Sequence, residues 1–441
     1  MVKISVVGLG KLGSPLAACL ASKGFSVIGV DLNSRTVGLI NEGKAPVVEP
    51  GLDDLIRSVG DRLSATQDYE TAVLDTDATF IIVPTPSENH GGFSARYVLE
   101  SGEAIGQALR KKAGYHLVVL TSTVLPGGTG GQLLPVLETA SGKKCGPDFG
   151  LCYNPEFIAL GSVIRDMLNP DLVLIGESDE RAGAKLEQIQ RTLCDNTPSF
   201  AHMSFVNAEL SKLAVNTFVT TKISYANMLA EVCERLPGAS VDEVTSAIGL
   251  DSRIGRKYLK GATAYGGPCF PRDNVAFAHL AREVGAQPIL AEATHLTNLA
   301  QVTRLTGIVQ AHLPEGGTVG ILGLAYKPGT PVAEESPGIK LAERLLKIGK
   351  RVVVYDPLAG GTARSVLDGA ALFATSAADC VSQSDVVVIT TPWPEFSNTG
   401  ADLFGSADRA LVVVDCWRIL TPDELPDSIT YVAIGRGVSQ G

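Results

Sequence analysis

The feature that most constrains this chain lies at its start. Lys3–Val7 reads as a buried parallel strand that ends in Gly8-Leu9-Gly10-Lys11-Leu12-Gly13. Ser14–Ser22 continues as a helix of small residues, and Ser26–Val30 is a second buried strand closed by Asp31. Strand, G-x-G-x-x-G turn, helix, strand and acid in that order describe a βαβ dinucleotide site. Gly8 permits the tight turn, Gly10 lets the backbone approach a pyrophosphate, and Gly13 lets helix and strand pack closely. Leu12 stands just ahead of Gly13, and the helix N-terminus faces the anion. Asp31 follows Gly8 by 23 residues, where the ribose-binding carboxylate belongs. It would repel a 2′-phosphate, so the expected cofactor is NAD.

Further buried strands are expected at Ala78–Val83, Leu117–Thr121 and Leu172–Ile175. Val83-Pro84-Thr85-Pro86 and Thr121-Ser122-Thr123 close the first two, so Thr85 and Thr123 are expected to border the cofactor at the strands' carboxyl ends. The pattern recurs later. Thr318–Leu322 runs into Gly323-Leu324-Ala325-Tyr326-Lys327, Arg351–Tyr355 closes with Asp356, and Asp385–Thr390 and Val412–Asp415 follow. This second half lacks a full G-x-G-x-x-G, so a second dinucleotide is not expected there. Lys327 is a phosphate or carbonyl partner or a solvated surface residue.

Between the halves, Asn207–Leu236 contains no Gly or Pro and carries apolar residues at helical spacing. It predicts a helix of about 45 Å at 1.5 Å per residue. Lys212 and Asn216 share one face of it. The expected fold is α/β: two doubly wound Rossmann-like parallel-sheet domains joined by a central helical region with one long helix. The expected divisions are 1–200 for NAD, 201–300 for the central helices and 301–441 for a second nucleotide.

Composition narrows the function. With 37 Lys and Arg against 47 Asp and Glu, the net charge of −10 argues against a nucleic-acid binder or a polybasic membrane contact. No apolar run has the length of a membrane span and no leader pattern opens the chain, so a cytoplasmic protein is expected. The eight cysteines form no Cys-x-x-Cys pair and no metal-like spacing with the six histidines, so no metal is expected. Cys269, in Gly266-Gly267-Pro268-Cys269-Phe270-Pro271-Arg272-Asp273, precedes a helix expected over Asn274–Val284. A helix N-terminus favours thiolate, and Asp273 would lie on the same side of the first turn. The residues alone leave Cys269 readable as a reactive thiol or as a structural one. A nicotinamide fold with an activated thiol suits oxidation of an alcohol through aldehyde and thioester to a carboxylate.

The motifs together resemble the UDP-glucose/GDP-mannose dehydrogenase family over nearly the whole chain. The resemblance rests on Gly8-x-Gly10-x-x-Gly13 with Asp31, Ser122-Thr123-Val124, Asn154-Pro155-Glu156-Phe157, Glu209-Leu210-Ser211-Lys212-Leu213-Ala214-x-Asn216, Gly266-Gly267-x-Cys269-Phe270-Pro271-x-Asp273, Gly323-Leu324-Ala325-Tyr326-Lys327-Pro328 and Glu335-Ser336-Pro337. It implies an NAD-dependent, two-step oxidation of a nucleotide-sugar at C6. UDP-glucose is the first expectation, with GDP-mannose, dTDP-glucose and a UDP-N-acetylhexosamine as alternatives. By the same resemblance Cys269 is the nucleophile, and Lys212 and Asp273 bind the catalytic water and stabilise the developing alkoxide. Asn216 is an oxyanion-side donor, Glu156 helps activate water, and Thr123 positions it. Phe157 lies in the motif expected at the substrate, and Lys260, Tyr265, Gly266 and Lys327 match nucleotide-sugar positions. Arg253 matches an arginine that reaches a neighbouring subunit's substrate, which implies a homodimer or higher homo-oligomer. Four positions depart from the family pattern: Leu160 replaces a second Glu, Glu334 replaces an Arg, and Pro331 and Val332 replace aspartates. They are expected to alter the hydrolytic water network and domain closure. A β-hydroxyacid dehydrogenase or a non-catalytic nucleotide-binding protein are the rival readings.

Overall fold

A computed structural model describes residues 2–398, 403–404 and 410–437. The chain divides into two compact units, Met1–Ala214 and Val215–Gly441. Among the described residues the first unit carries an eight-stranded sheet. Its strands are Lys3–Val7 (β1), Ser26–Val30 (β2), Leu63–Thr66 (β3), Ala78–Ile81 (β4), His116–Leu120 (β5), Phe149–Tyr153 (β6), Leu172–Glu177 (β7) and Ser199–Met203 (β8), ordered β3-β2-β1-β4-β5-β6-β7-β8. All neighbours run parallel except β6 and β7, which pair antiparallel through Cys152 and Tyr153. That local reversal is the one departure from the parallel sheet the sequence predicts.

The strands are apolar on both sides because helices cover both faces. Their period of two divides them between two cores. Ile4, Val6, Phe80, Leu117 and Val119 enter one, while Val7, Ile81, Val118 and Leu120 enter the other. The order reverses at β1, which lies between β2 and β4, and a ligand crevice opens off strand carboxyl ends at such a point.

In the second unit Thr318–Leu322 (β9), Arg351–Tyr355 (β10), Leu372–Phe373 (β11), Val386–Ile389 (β12), Leu411–Asp415 (β13) and Ile429–Ala433 (β14) pair in parallel as β11-β10-β9-β12-β13-β14. The switch recurs at β9. Two long helices stand where one was expected: Phe205–Glu234, and Ile289–His312, which the sequence reading did not identify. The first ends just ahead of Pro237-Gly238, where Gly238 takes a φ of 78° that terminates the run. Strands β3, β6, β8, β11 and β14 were likewise not anticipated.

Candidate active site

In the first unit the glycine turn divides its labour by space. Gly8 has a φ of 92°, and a Cβ there would stand 2.6 Å from the Ile82 carbonyl oxygen. A Cβ on Gly13 would stand 1.7 Å from the Gly8 carbonyl oxygen, so only glycine lets the helix Gly13–Ser22 start this close to β1. A Cβ on Gly10 would meet nothing within 4 Å, which leaves its backbone open to a ligand. Leu12 caps that helix and is half-buried. Asp31 accepts from Leu9 N and Asn33 N, both at 2.8 Å, so the carboxylate at the end of β2 also fixes the turn. Open backbone at a helix N-terminus beside a carboxylate fits NAD, and these residues would hold it.

The loops after β4, β5 and β6 leave the same edge of the sheet, because β1, β4, β5 and β6 are parallel. Thr85 is buried and Thr123 half-buried in the first two loops, and Ser122 Oγ ties them by donating to the Val83 carbonyl at 2.7 Å. Asn154 anchors the third. Its amide donates to Leu174 O at 2.9 Å and accepts from Gln190 Nε2 at 2.5 Å. Glu156 and Phe157 follow it. Lys212, buried on the long helix, donates from Nζ to the Glu156 carbonyl oxygen at 2.5 Å and lies 4.6 Å from the Phe157 ring centroid. Glu156 retains some accessible surface, yet burial pushes its carboxyl up to about 7, with the Lys212 ammonium pulling the other way. Such a value suits a base near neutral pH.

Leu160 packs half-buried against the apolar cluster around Leu16 and Leu20 instead of offering a second carboxylate. The backbone around it is held by Glu49, which accepts from Gly161 N and Val163 N at 2.8 Å each.

In the second unit Cys269 is exposed and caps the helix Phe270–Glu283. The helix starts four residues before the expected Asn274, because Pro271 fits its first turn, where a missing N–H costs nothing. Asp273 N closes that turn on Cys269 O at 2.8 Å. The Asp273 side chain is 1% exposed, accepting from Asn216 Nδ2 at 2.6 Å and Arg272 Nε at 3.2 Å. The Asp273 carboxylate and the Asn216 amide are therefore paired one turn after Cys269. The loop before Cys269 is held by contacts that the sequence did not reveal. Gly267 N donates to Glu334 O at 3.0 Å, and a Cβ on Gly266 would stand 2.3 Å from Glu335 O. Glu335 has a φ of 54°, a conformation costly for a non-glycine residue. The side chain of Glu334 is exposed while its backbone carries the contact.

Tyr265 is buried, its N–H donating to Asn298 Oδ1 at 2.8 Å and its ring lying edge-on to Phe270 at 6.4 Å. Lys260 is exposed and Lys327 half-buried. Arg253 projects outward with its side chain 86% exposed and pairs with Asp251, two residues before it, through Nε at 3.0 Å and Nη2 at 2.6 Å.

Asp356 repeats the work of Asp31. It accepts from Leu324 N at 2.7 Å, Ala325 N at 2.9 Å, Leu358 N at 2.9 Å and Ala359 N at 2.7 Å. The third glycine of the turn is also present, far along the chain. A Cβ on Gly338 would stand 2.1 Å from the Gly323 carbonyl oxygen, the same steric relation that Gly13 has to Gly8. The segment between them hides this from a search for fixed spacing. Pro331 and Val332 lie in it, and Val332 O accepts from Tyr326 N at 3.0 Å, closing the loop through backbone. Among the described residues no cluster of metal-ligating side chains occurs, and no helix is long and apolar enough to cross a membrane.

Three models of the UDP-glucose/GDP-mannose dehydrogenase family match the chain: the NAD binding domain at residues 2–194, the central domain at 206–300 and the UDP binding domain at 320–422. The chain is similar to a UDP-glucose 6-dehydrogenase of Haloferax volcanii, 38% identical over 96% of this chain and 98% of that protein. It is 37% identical to a GDP-mannose 6-dehydrogenase of Pseudomonas aeruginosa over 80% of this chain and 81% of that one. Its fold is similar to that of a UDP-glucose dehydrogenase from the hyperthermophilic archaeon Pyrobaculum islandicum, with a TM-score of 0.89 and 35% identity over 99% and 98% of the two chains. The glycine turn with its open backbone, the capped thiol and these matches together place the chain in the UDP-glucose/GDP-mannose dehydrogenase family of NAD-dependent nucleotide-sugar dehydrogenases.

Proposed function

We propose that this enzyme oxidises the C6 alcohol of UDP-glucose to the carboxylate through a thioester on Cys269. The observation that carries the reading is the exposed Cys269 at a helix N-terminus with Asp273, tied to Asn216, one turn in. The full-length similarity to UDP-glucose 6-dehydrogenases supports the choice of sugar.

NAD, when bound, accepts one hydride in each of the two oxidations. The C6 hydroxyl passes its proton to the water held by Lys212 and Asp273 as hydride leaves C6, and the Lys212 ammonium and Asn216 amide stabilise charge on that oxygen. The Cys269 thiolate then adds to the aldehyde carbon. A C–S bond forms, the carbonyl pair moves to oxygen, and that oxygen takes a proton. Loss of hydride from C6 and of the hydroxyl proton, again to that water, leaves the thioester. Glu156 takes a proton from a water placed by Thr123, Lys212 and Asp273. The resulting hydroxide attacks, the C–S bond breaks, and thiolate and uronate are released.

Phe157, Lys260, Tyr265, Gly266 and Lys327 hold the nucleotide-sugar in this reading. The segments 1–200, 201–300 and 301–441 serve NAD, the central helices and the nucleotide-sugar. Exposed Phe218, Tyr225, Met228 and Val232 along the long helix support a homodimer in which Arg253 serves the second copy's substrate. A cytoplasmic location suits the supply of nucleotide-sugars.

The test counts NADH per sugar consumed. Two NADH and one uronate per UDP-glucose are expected, and Cys269→Ser removes net uronate formation. Uronate formation by Cys269→Ser at the wild-type rate, or one NADH per sugar in the parent enzyme, overturns the thioester route. Turnover of GDP-mannose in preference to UDP-glucose overturns the choice of sugar alone.

A further inference from the structure

Glu209 is a fully buried carboxylate to which the chemistry above gives no part. It sits on the long helix three residues before Lys212, so the two share a face one turn apart. Its oxygens accept from two backbone donors on another element: Oε2 from Gly127 N and Oε1 from Thr129 N, each at 2.7 Å. These N–H groups belong to the cap and the first turn of the helical segment Gly128–Leu133, which begins five residues after Thr123. A Cβ on Gly128 would stand 2.7 Å from Val124 Cβ, so the segment Glu209 holds also packs on the residue beside Thr123. Lys212, on the next turn, holds the Glu156 carbonyl.

We propose that Glu209 is a positioning residue that locks the Lys212 turn of the long helix to the segment carrying Thr123. One side chain then sets the separation of the cation and the water-placing hydroxyl. Both oxygens must accept, since each faces an N–H, and burial removes water as a substitute partner. Glu209→Gln presents an NH2 group to one of those N–H groups and frees the segment. The proposal rests on the roles given above to Lys212 and Thr123.

The test uses the full-length enzyme. The kcat and KM for NAD and for nucleotide-sugar are measured for Glu209→Gln, Lys212→Ala and Thr123→Ala, below the melting transition of each. Glu209→Gln is expected to lower kcat by about tenfold to hundredfold, the scale of a small misplacement of reacting groups. The sugar KM should stay within about twofold, because uniform binding is untouched. Glu209→Asp, which keeps the charge but reaches a single N–H, should fall between Gln and the parent, and it serves if the Gln variant does not fold. A folded Glu209→Gln with parental kcat and only a lowered melting temperature overturns the proposal, provided Lys212→Ala and Thr123→Ala lose activity. If those two also keep full kcat, the underlying reading has failed and the proposal fails with it.

Discussion

In the proposed route Glu156 makes the hydrolytic step a titration. Burial lifts its carboxyl to about 7 while Lys212 opposes the rise. A base must be deprotonated to act, so the step is lost as pH falls through that value. With a midpoint of about 7, roughly one molecule in eleven carries the carboxylate at about pH 6 and ten in eleven at about pH 8, so release should speed up about tenfold across that interval. The assay is a single turnover of acyl-enzyme formed from the sugar aldehyde, following uronate release against pH. Glu156→Gln should lower the rate at the alkaline plateau by about a hundredfold or more and flatten the profile. A carboxyl infrared band titrated in the parent and in Lys212→Ala gives a second readout, and loss of the ammonium should move the midpoint higher still. An uronate-release rate that is flat over this interval, or a profile unchanged in Glu156→Gln, refutes the reasoning.

The two sterically equivalent glycines should separate two binding events. Gly13→Ala drives a Cβ into the Gly8 carbonyl and should weaken NAD binding, whereas Gly338→Ala does the same at Gly323 and should weaken nucleotide-sugar binding. Calorimetry of each variant with each ligand checks this, with about 1–3 kcal/mol of stability lost in either case from overpacking. Arg418, with its side chain 1% exposed, donates to both Asp242 oxygens and to the carbonyls of Cys416, Ile434 and Gly261. Arg418→Ala should cost about 3 kcal/mol, the low end for breaking a buried pair because the Asp242 side chain is 37% exposed, and lower Tm by about 6–12 °C on a scan.

Much of the scaffold was legible because its signals are local. Lys3–Val7, Ser26–Val30, Thr318–Leu322 and Arg351–Tyr355 appear with the boundaries their apolar runs indicate, since a strand buried on both faces admits few polar residues. The long helix is displaced by two residues at each end from the Gly- and Pro-free run that announced it. Edge strand Ser199–Met203 escaped notice because it is only partly buried and lacks that continuous apolar character. The helix Ile289–His312 was missed for a related reason: its apolar residues are spread around the axis, with Ile289, Leu290 and Leu296 exposed. At the candidate site, Cys269 ahead of a helix and Asp273 in its first turn were readable from spacing alone. Glu209 stood in a recognised motif without a visible task, because its partners Gly127 and Thr129 are some eighty residues away.

What the sequence determines here is whatever depends on neighbours along the chain: the glycine turn and its acid, the capped thiol, and the absence of a metal-ligand spacing. Tertiary structure decides which distant backbone each buried carboxylate serves. Asp31 and Asp356 hold turns more than twenty residues away, Glu49 holds the loop of Leu160, and Glu209 joins a helix to a strand-end loop. It also supplies the third glycine of the second turn from Gly338. The physical reason is common to all of them. A buried N–H needs an acceptor, and a close helix needs a residue without a Cβ, but neither need specifies where along the chain the answer comes from.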